Sequence, residues 1–360
     1  MTQRLTVISH ACVVVANQSV YSELSHEIDV DIVVPSVWRD DLRPDPYGFS
    51  RQGDSRAVFH PVAVFGIGRV QRHVHICSPV RVLQRLRPDA VIIEEEAFSI
   101  TAWRWARAAR HLDVPYAVQS AENLERRLPV VVRWWERRVL SRCAWVMARS
   151  PEAARRSMRH GASSAPDRVA VVAHGIDAVS TSEPEARHGV VGFVGRFSEA
   201  KGVLDLLEVA RRSPDLHFEF AGDGPLRDVI EDGPENVRWR GSLSPHDLSD
   251  FYQSVSVLAV PSRTTATWSE QFGRVIIEAQ AHGTPVVAFD SGEIPWVASE
   301  TAVRLVAEGD LDSLQRELRE MALTPEGARV GRDGRERVAT RFTNSYAAEQ
   351  VRTFLRRLTN

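Results

Sequence analysis

The sequence predicts an α/β chain built as two doubly wound, Rossmann-like domains that face each other across a cleft. Three observations carry this expectation. Apolar, β-rich runs alternate with amphipathic stretches from end to end, as a parallel sheet covered on both faces requires. The rhythm breaks once, at the polar segment AHGIDAVSTSEPEARHG (173–189), which reads as a linker. The 360 residues are long for one domain and comfortable for two.

In the first domain (1–172) strands are expected at 5–9, 31–35, 57–64, 90–94, 116–118, 145–148 and 169–172, with helices such as 98–111 and 151–160 between them. The second (190–342) restarts the alternation at 190–194, 218–221, 237–240, 255–260, 285–289 and 302–305. Helices near 325–341 and 346–358 finish the chain. Doubly wound sheets bind ligands beyond the carboxyl ends of their strands, so the residues at those ends are the ones to read for chemistry.

Composition narrows the class. A hydrophobic fraction of 43%, a charged fraction of 26% and a net charge of -2 describe a soluble globular protein and give no reason to expect nucleic acid. No apolar run approaches the roughly 18 residues of a membrane span. The N-terminal apolar run reads better as a first buried strand than as a signal peptide, so a cytoplasmic location is expected. Cys12, Cys77 and Cys143 form no CxxC pair and suit a reducing compartment. His73 and His75 lie two apart on an expected strand, but with no third ligand nearby in sequence no metal site is expected.

Of 45 basic residues only Lys201 is lysine. In an arginine-rich background, that suggests a position requiring a compact ammonium. Lys201 lies in GFVGRFSEAKG (192–202), where a strand ends at Gly195, Arg196 follows, and a helix begins soon after Lys201. Two cations and a helix start around one point suit a diphosphate; a solvated turn with two surface cations is the alternative. The next strand ends in AGDGPLR (221–227), a weaker signal of close backbone approach at Gly222. In the third stretch Glu270 and Glu278 stand eight apart around Phe272 and Gly273, and Gly273 looks like a helix start. Glu278, among Val275, Ile276, Ile277 and Ala279, calls for a partner; otherwise the pair is an acidic helix start favoured by the dipole.

These three motifs, VGRFSEAKG, AGDGP and the E-x7-E signature EQFGRVIIE, followed by HGTPVVAFDSGEIPWV, occur in an order and spacing that resemble the retaining glycosyltransferases of family four, with the GT-B fold. The resemblance covers nearly the whole chain. It implies that Arg196 and Lys201, beside Gly195, bind a donor diphosphate, and that Glu278 holds ribose hydroxyls. It further implies that Glu270 contacts the transferred sugar, assisted by amides around Phe272, Gly273, Arg274 and Val275. Backbone near Gly222, Arg240 and Gly241 would surround the base. Gly175 would lie at the hinge, and residues 343–360 would form a helix crossing back to the first domain. Arg196, Lys201 and Glu270 are then the catalytic candidates.

Two departures stand out. The stretch after the first strand, Val15 to Ser19, lacks the glycines of many relatives, and Gln119 occupies the place of a frequent histidine. Acceptor contacts are expected from Asn17, Gln18, Glu96, Gln119, Glu122 and Asn123. The run Glu94-Glu95-Glu96 reads equally as a solvated turn.

The resemblance implies transfer of a hexose from a UDP- or GDP-sugar to a small-molecule, glycan or lipid-linked hydroxyl. Neither cofactor nor metal is implied, and the place would be carbohydrate or secondary-metabolite biosynthesis. A nucleotide-sugar epimerase or hydrolase and an idle sugar-nucleotide-binding module remain as alternatives. A nicotinamide oxidoreductase is remote, since Gly66-Ile67-Gly68 lacks a third glycine and is not at the first strand–helix turn. The basic, aromatic stretch from Arg126 to Arg142, with Trp134 and Trp135, reads as an ordinary amphipathic helix or as a peripheral contact with the inner membrane face.

Overall fold

Thirteen parallel strands make two sheets in the computed structural model, which describes residues 3–39, 45–162, 166–177, 188–298 and 302–359. The first sheet contains β1 (Arg4–Ile8), β2 (Asp29–Pro35), β3 (Val58–Val62), β4 (Ala90–Ile93), β5 (Tyr116–Ser120), β6 (Trp145–Ala148) and β7 (Val169–Val171). Their spatial order is β7-β6-β5-β4-β1-β2-β3. The second contains β8 (Val190–Val194), β9 (His217–Ala221), β10 (Val237–Trp239), β11 (Val257–Val260), β12 (Val286–Phe289) and β13 (Val303–Val306), in the order β10-β9-β8-β11-β12-β13.

All thirteen coincide with expected strands. The reason is burial: strands covered on both faces read as unbroken apolar runs, and β4, β6, β11 and β12 are buried at every residue. Side chains alternate between the faces. Leu5, Val7, Ala90 and Ile92 enter one core of the first sheet. Ile8, Val91, Ile93 and Val118 enter the other.

Each sheet reverses its strand order once, between β1 and β4 in the first and between β8 and β11 in the second. Such switch points are where doubly wound sheets take ligands. Registers fix what meets there. Ile8 pairs with Ile93, so His10 and Glu95 leave the sheet level with each other. Gly192 pairs with Leu258, so β8 and β11 lie side by side at the reversal.

The chain divides into one unit of residues 1–175 plus 344–360 and a second of residues 176–343. The helix Asn344–Thr359 belongs to the first unit. Its Ala347, Ala348, Val351, Phe354 and Leu355 are core residues there, and Phe354 stacks on Trp145 at 4.5 Å. Of the expected linker, residues 178–187 lie outside the described residues. Gly175, expected at the hinge, is the last residue of the first unit before Ile176 begins the second.

Candidate functional site

The carboxyl ends of β8, β9 and β11 converge through backbone contacts. The Gly195 amide donates to Ala221 O at 3.0 Å, Phe197 to Asp223 O at 2.9 Å, and Arg263 to Ala200 O at 2.8 Å. Phe197 is fully buried and anchors the turn, which leaves Arg196 half-buried at the strand end.

Lys201 closes a short helical turn, Glu199–Lys201, and its Nζ lies 2.6 Å from Glu270 Oε2. Ser262 Oγ donates to the same oxygen at 3.0 Å, and Lys201 Nζ stands 4.7 Å above the Trp268 ring. Glu270 is buried, and its backbone is held from behind by the Glu293 amide, 2.9 Å from Glu270 O. The one lysine, a buried carboxylate and a hydroxyl therefore meet at the switch point. A charge pair this enclosed is stable only while each partner has the other, or a ligand of like charge.

Glu278 lies one helix further on, in Arg274–Ala281. Gly273 caps this helix in a left-handed conformation and has no side chain of its own to bond the first-turn amides. The partner that Glu278 requires is double: Arg274 Nε lies 2.9 Å from Oε1, and Tyr252 OH donates to Oε2 at 2.9 Å. Phe272 packs its ring against Trp296 and Phe342, so only its backbone is offered to a ligand. The Arg240 side chain pairs with Glu219 at 2.7 Å, and its amide bonds Phe220 O. Gly222 N donates to Gly241 O at 2.9 Å, tying the two expected base-side glycines together.

In the first unit the acceptor-side candidates divide. Gln18 is fully buried, with its amide bonded to Cys12 O, Ser50 O and Gln52 N; it ties two loops together. Asn17 donates to Ala11 O at 3.0 Å. Gln119 Oε1 accepts from Arg149 Nε and Nη2, and the same guanidinium bonds Glu94 at 2.7 Å. Glu122 is buried and paired with Arg126. Glu96 Oε1 accepts the amides of Ala121 and Glu122, whereas its Oε2 is buried without a hydrogen-bond partner. Burial pushes the Glu96 carboxyl up to about 7. Asn123 is half-buried beside them.

Sequence reading missed Arg149. It directly follows β6, and Arg196 stands two residues beyond β8; an arginine at the carboxyl end of a strand was the available signal. His73, though not His75, has further ligand-type neighbours that are distant in sequence. His10 Nδ1 lies 2.8 Å and His73 Nε2 3.5 Å from Glu95 Oε1, because β1 and β4 are neighbours. Nor is the whole run Glu94-Glu95-Glu96 a solvated turn, since Glu94 and Glu95 are buried. A cavity of about 820 Å³ opens elsewhere, beside the amino ends of β5 and β6 among Arg110, Arg142, Arg168 and Arg357. Ligands of such sheets bind at the other end.

Two Rossmann-like units with switch-point sites of this kind define the GT-B fold. Anabaena HepE in complex with UDP superposes with a TM-score of 0.74 at 16% identity, covering 99% of both chains. More particularly, residues 188–323 match the family model described as Glycosyl transferases group 1. A D-inositol 3-phosphate glycosyltransferase of Segniliparus rotundus is 34% identical over 161 residues, 40% of this chain and 35% of that protein. An alpha-maltose-1-phosphate synthase of Mycolicibacterium smegmatis is 28% identical over 228 residues, 54% of this chain and 58% of that protein. These matches thus span between about a third and three fifths of the curated relatives' length.

Proposed function

We propose that the chain is a retaining glycosyltransferase moving a hexose from a UDP- or GDP-sugar to a hydroxyl acceptor. The observation that carries this reading is the contact of Lys201, Glu270 and Ser262 at the second switch point. A donor diphosphate competes for the ammonium of Lys201 and joins Arg196. Glu270, released from its ion pair, accepts hydroxyls of the sugar. Developing negative charge on the leaving diphosphate then meets pre-set cations, the arrangement that lowers such a barrier most. Those cations take the place of a metal at the diphosphate. The acceptor attacks the face the diphosphate leaves, and a donor phosphate oxygen takes its proton. UDP is the base-side choice that HepE, solved with UDP, favours. In the first unit, Glu96 with its unpartnered Oε2 is our choice for an acceptor hydroxyl.

The test separates the two glutamates. Ribose is present in both donor and free nucleoside diphosphate, whereas the sugar belongs to the donor alone. Glu278→Ala is expected to weaken both ligands by similar factors. Glu270→Ala is expected to weaken the donor, or slow transfer, with little effect on the free nucleoside diphosphate. Each lost charged hydrogen bond is worth roughly 1.5–3 kcal/mol, about ten- to a hundredfold. Calorimetric titration of both ligands into both variants decides. Equal loss of nucleoside diphosphate affinity in the two variants would overturn the assignment.

We further propose a cytoplasmic enzyme that touches the inner membrane face. Among the described residues no helix is long and apolar enough to cross a membrane. Helix Val130–Leu140 exposes Val130 (74%), Val131 (52%) and Trp134 (53%) beside Arg133 and Arg137. An apolar strip edged by cations suits an anionic bilayer surface. Trp134→Ser with Val130→Ser is expected to abolish co-sedimentation with phosphatidylglycerol vesicles; unchanged sedimentation would refute the contact.

A further inference from the structure

The reversal of strand order in the first sheet gathers an unusual set of side chains. His10 stands two residues beyond β1 and Glu95 two beyond β4. His73 and His75 arrive from a short antiparallel ribbon, Val64–Phe65 with Val74–His75. One ligand atom from each of His10, His73 and Glu95 lies within 4.8 Å of the others.

The tautomer of His73 follows from its neighbour. A carbonyl only accepts, so His73 Nδ1, 2.9 Å from Val70 O, carries the proton. In the neutral ring Nε2 is then a lone pair. It faces Glu95 Oε1 at 3.5 Å, is fully buried, and has no hydrogen-bond partner. Glu95 Oε2 is likewise buried without a partner. Two acceptors turned toward each other out of water are costly unless an electrophile lies between them.

We propose that His10, His73 and Glu95 bind a divalent transition-metal ion of the zinc class. Two imidazole nitrogens and one carboxylate oxygen are a known three-ligand set for such ions, whereas magnesium and calcium take oxygen. Ligand atoms on a tetrahedral ion with bonds of about 2.0–2.1 Å stand about 3.3 Å apart. The observed 2.8 Å from Glu95 to His10, a hydrogen bond whose proton the ion would replace, and 3.5 Å to His73 bracket that spacing.

The surroundings resemble an outer shell. Val70 O orients His73, and the His10 amide donates to Glu95 Oε1 at 3.0 Å. Trp38 packs its ring 5.2 Å from His10 and 5.0 Å from His73. Trp105 Nε1 donates to His75 Nδ1 at 3.1 Å, so a neutral His75 carries its proton on Nε2, where it is buried without an acceptor. That donor is available to an oxygen completing the coordination. Glu94 is not a competing ligand, because Arg149 holds it. Ion entry is from the side of His10, whose side chain is 18% exposed while His73 and Glu95 are at 0%.

Protons alone are the competing account: one between His10 and Glu95 at 2.8 Å and one shared by His73 and Glu95. They satisfy the lone-pair clash but leave Glu95 Oε2 and His75 Nε2 unpartnered. Titration of the EDTA-stripped, dialysed full chain with Zn²⁺ decides between the two. One equivalent is expected to bind saturably, and Co²⁺ in its place is expected to give the intense visible bands of a low-symmetry site. Glu95→Gln and His10→Ala are expected to weaken Zn²⁺ at least as much as the ~100-fold that losing an outer-shell partner can cost. His10→Ala, at the rim, keeps the test valid if Glu95→Gln does not fold, and circular dichroism checks both. His246→Ala, on an exposed helix, is expected to change nothing. Failure to bind one equivalent of Zn²⁺, or binding that survives both His10→Ala and Glu95→Gln, would overturn the site. Calorimetry of free nucleoside diphosphate on the same stripped protein is expected to show unchanged affinity, which separates this proposal from the transferase reading.

Discussion

Lys201→Ala is expected to lower transfer by about 30- to 1000-fold with the fold intact by circular dichroism but a lowered Tm, since buried Glu270 loses its partner, and Arg196→Ala to lower transfer by a similar factor. Removing one donor to charge that develops at a leaving group costs on the order of 2–4 kcal/mol. Lys201 also balances the buried Glu270 at 2.6 Å. Its loss therefore has a second consequence: Glu270, still bonded to the Ser262 hydroxyl but without its cation, is less well placed to receive a sugar. Lys201→Arg tests the geometry separately. A planar guanidinium keeps the charge but not the compact contact, so rescue is expected to be partial. Near-normal turnover in both alanine variants, measured with donor and acceptor saturating, would remove the diphosphate from this strand end.

Gly202→Ala is expected to be the most destabilising single methyl in the second unit. A Cβ there would lie 1.8 Å from Pro261 O, and the residue is left-handed at φ +69. The conformation alone costs a side chain about 1–2 kcal/mol, and the collision adds roughly 1–3 kcal/mol more. Gly241 separates the two contributions, since it too is left-handed at φ +76 but a Cβ there meets nothing within 4 Å. Differential scanning calorimetry should give Gly202→Ala a clearly larger drop in Tm than Gly241→Ala, at roughly 2–4 °C per kcal/mol. The displaced Pro261 would carry Ser262 away from Glu270, so donor binding falls with stability. Equal drops for the two alanines would show that the close approach at Pro261 is soft.

How much of this was legible follows from the range of each signal. Strands β4, β6, β11 and β12 could be read because burial on both faces leaves continuous apolar letters. Lys201 stood out as the one lysine, and its neighbours placed it at a strand end. Its pairing with Glu270 could not be read, because 69 residues separate them and only the strand order of the second sheet joins them. Arg149 was hidden by the abundance of arginine, and only its contacts with Glu94 and Gln119 distinguish it. The His10, His73 and Glu95 group depends on β1 lying beside β4, a neighbour relation that periodicity along a chain does not encode. The ribbon that brings His73 and His75 has two-residue strands, too short to show any alternation.

The placement of helix Asn344–Thr359 bears on the order in which the chain folds during synthesis. The first unit begins to emerge from the ribosome first, yet its core waits for Phe354 to meet Trp145 and for Ala348 and Val351 to cover the sheet. Residues 176–343, made later, have a core that includes none of those residues. The second unit is thus free to close while the first still exposes the apolar face on which the helix settles. That interval is when the nascent chain most needs protection from aggregation. The early-made half of the protein is the late-finished one.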